Sequence, residues 1–88
     1  MHEETVLKDL RRKVEEVALA HGARRVTRVT LRIGALSHLT ASAVLGRWPL
    51  LVTGTVAEGS AVDVDADTDE TAPGAQGVRL VSVALEEA

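Results

Sequence analysis

The chain has 88 residues, a formal net charge of −3, no cysteine and a single aromatic residue, Trp48. One domain of this size buries roughly 60–65% of its unfolded surface, so its core is modest and built mainly from Val, Leu and Ala. The acidic balance and the lack of stacking aromatics exclude a general nucleic-acid binder, and no apolar run reaches the length of a membrane span.

Residues 3–21 are predicted to form an amphipathic helix. Val6, Leu7, Leu10, Val14, Val17 and Ala18 recur at steps of three and four. Lys8, Arg11, Arg12, Glu15 and Glu16 form its wet side, Glu3 and Glu4 suit the positive end of the helix dipole, and Gly22 stops the helix. His21 complements the negative end and is not read as a ligand. Residues 24–33 then change period. Val29, Leu31 and Ile33 share one face of a strand, while Arg28, Thr30 and Arg32 share the other.

A second helix is predicted over 41–52, with Thr40 as its N-cap and Val44, Leu45, Trp48, Leu51 and Val52 on one stripe. Gly46 and Pro49 weaken it, and Pro costs about 3 kcal/mol in a helix interior, so a kinked or shortened helix is expected. Gly54 and Gly59 bracket a turn, and residues 61–66 alternate as a second strand. Residues 67–77 form a polar loop. In the third strand, residues 78–85, apolar side chains occupy both parities, which points to a buried place in the sheet. The expected architecture is α/β (α+β), in the order α-β-α-β-β. Two helices pack on one face of a three-stranded mixed sheet, within a single domain spanning 1–88. The first two strands run parallel through a crossover, and the last two are free to run antiparallel.

The N-terminus carries a candidate metal site. With Met1 as the start, its amine, the His2 amide and the His2 imidazole form a nitrogen chelate suited to Ni(II) or Cu(II). The acids Asp63, Asp65, Asp67, Asp69 and Glu70 do not form an EF-hand, which needs Gly at its sixth position and Glu at its twelfth. A register from Asp63 places Thr68 and Gly74 there, and one from Asp65 places Glu70 and Gln76. Arg24, Arg25, Arg28 and Arg32 form a basic stretch. It reads first as salt-bridged to the helical Glu residues or to the Asp face of the second strand, and second as a docking patch for an acidic partner surface. No nucleophile or nucleotide-binding motif is present, so catalysis is not expected.

Several segments together resemble the HypA family of hydrogenase nickel-incorporation proteins. They are MHE at the start, HGARRVTRVTLRIGALS at 21–37, LLVTGTVAEGSAVDVD at 50–65 and GVRLVSVALEEA at the end. The resemblance implies a nickel metallochaperone for hydrogenase or urease maturation rather than an enzyme. It also implies a HypB-like GTPase and the apo-hydrogenase large subunit as partners, and Met1, His2 and Glu3 as nickel ligands. Two departures stand out. The family's zinc module between the second and third strands is built from two CxxC pairs; here the short loop 67–77 lies in its place, and without thiolates no zinc is expected. Thr40 stands where some members carry an acidic residue that reaches the nickel. His38, two residues earlier, reads first as a polar loop residue and second as a replacement ligand.

The reading from sequence is therefore a zinc-less, cytoplasmic HypA-like protein that delivers Ni(II), with no nucleic-acid or membrane partner. The alternative is a degenerate HypA-like interaction or structural module without metal binding. The apolar third strand leaves room for a homodimer.

Overall fold

In a computed structural model that describes residues 3–87, helix α1 runs Glu3–Ala20 because its apolar stripe has somewhere to go. Leu7, Leu10, Val14 and Ala18 are all buried. On the wet side, Lys8 pairs with Glu4 and Lys13 with Asp9, each one turn apart. Such exposed pairs contribute only a few tenths of a kcal/mol each. Gly22 takes φ +62° just beyond the helix, and its amide donates to the Leu19 carbonyl at 3.1 Å. A Cβ is disfavoured in that left-handed conformation, so glycine is the natural stop.

Strand β1 (Ala23–Ile33) is the centre of the sheet. It pairs in parallel with β2 (Ala61–Ala66) and antiparallel with β3 (Val78–Glu87), giving the order β2-β1-β3. Val26, Val29, Leu31 and Ile33 of β1 are buried under the helices. The parallel first pair matches the crossover expected from the sequence.

The buried place expected for the third strand is corrected: β3 lies on an edge. A bulge explains why its apolar residues occupy both parities. The register passes from Thr30↔Ser82 to Leu31↔Leu80, leaving Val81 as an extra residue that is 50% exposed. The bulge resets the alternation, so Val78, Leu80, Val83 and Leu85 all pack against the core from one face.

Helix α2 (Ala41–Leu51) starts at Thr40, whose hydroxyl accepts a hydrogen bond from the Ala43 amide at 3.1 Å. Pro49 falls in the last turn, and the helix continues only two residues past it. Val44, Trp48 and Val52 are fully buried at four-residue steps. Leu45, expected on the same stripe, is instead 48% exposed; it follows Val44 around the helix by about 100°, and the buried row leaves it outside. The Trp48 indole donates to Ser60 Oγ at 3.1 Å, so its burial leaves no polar atom unsatisfied. Arg11 of α1 donates to the Leu51 carbonyl at 3.3 Å, placing a cation at the negative end of α2.

Two turns lock the connections. In the first, the Val56 carbonyl accepts the Val26 amide at 2.9 Å, and the Glu58 carboxylate accepts the Gly54 amide at 2.9 Å. In the second, loop 67–77 folds back on the end of β1. Gly34 donates to Gly77 at 2.9 Å and Leu36 to Ala75 at 2.7 Å. A Cβ on Gly34 would lie 2.2 Å from the Ala75 carbonyl oxygen, so only glycine permits this approach. No helix among the described residues is long and apolar enough to cross a membrane.

Candidate functional site

The predicted ligands fall in different places. Met1 and His2 lie outside the described residues, and Glu3 opens α1. His38 is exposed in the turn between β1 and α2. Among the described residues, no three His, Cys, Asp or Glu side chains are grouped to hold a metal ion. His38 therefore has no pair of acidic or imidazole companions within the folded body. The Thr40 hydroxyl caps α2, a structural task that explains this residue without any ligand role. A thiolate zinc site does not fit these 88 residues, which include no cysteine.

The acids after β2 build turns. Asp67 accepts the Asp69 amide at 3.0 Å, and Asp69 accepts both the amide and the hydroxyl of Thr71. The Thr71 hydrogen bonds hold the Asp69 carboxyl below its ordinary pKa of 3.8. These are the side-chain-to-backbone bonds typical of Asp in turns, and they account for the acidic run that resembles a calcium loop.

The basic stretch divides. Arg24 and Arg25 both reach Glu86 on β3, and Arg28 pairs with Asp63 on β2. Internal pairing thus neutralises most of the patch: Arg28–Asp63 is the pairing with the second strand expected from the sequence, whereas Glu86 of the third strand is a partner the sequence did not point to. Among the described residues, Arg32 makes no such pair. Its cross-strand neighbour is Arg79 of β3, a residue not singled out in the sequence. Only the register of a strand 47 positions away brings the two together, and no local pattern carries that information.

The family signal spans both helices and the first two strands. The model of the hydrogenase/urease nickel incorporation, metallochaperone HypA family matches residues 1–72. The chain belongs to the HypA family. It is 37% identical over 65 residues to hydrogenase maturation factor HypA of Nitrosospira multiformis, covering 74% of this chain and 56% of that protein. To HypA of Rhodobacter capsulatus it is 38% identical over 64 residues, covering 73% and 57%. The chain thus spans a little over half the length of these curated relatives. The solution structure of the Ni metallochaperone HypA from Helicobacter pylori superposes with a TM-score of 0.84 across the whole of both chains, at 19% identity. That likeness shows the HypA fold, including β3, which lies beyond the family match. As a HypA-family member the chain is not an enzyme; within its 88 residues the cysteine module of the family is missing.

Proposed function

We propose that this chain is a HypA-family interaction module of nickel-enzyme maturation, acting in the cytoplasm through protein contacts and without metal binding. The absence of any metal-capable grouping among the described residues carries this reading. Thr40 and His38 support it, the first occupied as a helix cap and the second outside any group of three potential ligands among the described residues. The partners that fit are those the family resemblance implies, a HypB-like GTPase and the apo-hydrogenase large subunit. Loop 67–77 takes the place of the zinc module and closes the single domain. The expected result is a complex with a HypB-like GTPase on size exclusion that survives a metal chelator. A complex that forms only after nickel is added would overturn the reading.

A second reading is delivery of Ni(II) by the N-terminus, favoured by a family match that begins at residue 1. Met1 and His2 supply the amine, an amide and the imidazole, Glu3 adds a further amide, and His38 is a candidate replacement ligand. Under this reading nickel is cargo, and His2→Ala removes stoichiometric binding while leaving the fold intact.

A further inference from the structure

The open face of the sheet holds one feature that its ion pairs do not absorb. Arg32 and Arg79 face each other across β1 and β3, and among the described residues neither guanidinium has a carboxylate within ion-pair reach. Like charges directly opposite on neighbouring strands destabilise a sheet. The sheet keeps both all the same, at the rim of a small cleft of about 160 Å³. Pro73 gives this cleft its exposed apolar wall, while Ala75 and Val78 line it from the core side. Asp67 also lines it, but its carboxylate accepts the Asp69 amide and turns the loop. Asp65 stands opposite Arg32 on the β2 side without pairing to it.

We propose that the Arg32–Arg79 pair is a docking point for an acidic side chain of a partner protein. The partner's carboxylate is held between two guanidiniums, and its methylenes lie on the apolar wall. The inference rests on the interaction-module reading and gives that partner a chemistry. Arginine suits the task because its planar fork matches a carboxylate. The apolar wall and the two nearby aspartates favour a singly charged carboxylate on an aliphatic stem over a free multivalent anion such as phosphate. An occupant there also relieves the repulsion between the two arginines.

The probe is a fluorescein-labelled peptide of alternating Glu and Ala, titrated at low salt and read by fluorescence anisotropy. Replacing both arginines (Arg32→Gln with Arg79→Gln) should weaken binding by about tenfold or more, the scale of a lost charge-assisted pair. Arg12→Gln, on the far helix, should leave binding unchanged, and Asp67→Asn should tighten it. The double variant should melt no lower than the native chain, because it removes a like-charge contact. Three results overturn the proposal: no binding by the native chain, equal weakening by Arg12→Gln, or displacement by inorganic phosphate beyond that caused by sodium chloride of equal ionic strength. Neither arginine is a nickel donor, so this test stands or falls separately from the nickel titration.

Discussion

Gly34 shows how much one residue can decide. It sits where β1 meets loop 67–77, and its missing side chain is what lets the Ala75 carbonyl approach. Gly34→Ala must push backbone against backbone, so it should destabilise the chain by about 1–3 kcal/mol in urea unfolding, the usual cost of overpacking. At the acid end of the pH range, two carboxylates matter. Arg12 and Lys13 hold Asp9 below its ordinary pKa of 3.8, and the Thr71 hydrogen bonds do the same for Asp69. A depressed folded-state pKa contributes stability above the unfolded value, and that contribution disappears as pH falls through the folded value. Thermal stability should therefore decline on the acid side of about 3.8, and Asp9→Asn with Asp69→Asn should flatten the decline. Added salt should erase the exposed Asp9 share, which comes from cations, and spare the Asp69 share, which comes from neutral donors.

Among the elements, α1 was legible because it buries a single stripe, and β1 because Val29, Leu31 and Ile33 keep a two-residue period; Val26, buried across a register shift, breaks that period. β3 was legible as a strand but not in position, because the bulge at Val81 mixes two alternations into a run that imitates burial on both sides. A paired substitution separates the two interpretations. Val81→Thr should change stability by less than about 0.5 kcal/mol, as a surface replacement does. Val83→Thr, which puts a hydroxyl against the core, should cost about 1–3 kcal/mol in the same unfolding assay. In α2 the cap and the buried row at Val44, Trp48 and Val52 could be read in advance. The exposure of Leu45 could not, since a helix with Gly46 and Pro49 has no clean stripe and tertiary packing chooses which residues face inward.

For the whole molecule, the described residues form the HypA fold, while the proposed nickel ligands Met1 and His2 stand at the start of the sequence. The family was readable from the IGALS turn and the AEG turn. Their roles became clear only in three dimensions, where Gly34 admits the loop and Val56 anchors β1. The Arg32–Arg79 pair was not readable, because strand register joins it. Among the described residues no three potential metal ligands are grouped, which is the observation behind the proposed protein-contact module. The most direct test is a calorimetric titration of Ni(II) into the untagged chain with a verified native N-terminus, alongside His2→Ala. The module reading predicts no one-per-chain site at micromolar nickel and identical traces for both proteins. One tightly bound nickel per native chain, with a square-planar absorption band that His2→Ala abolishes, would contradict it.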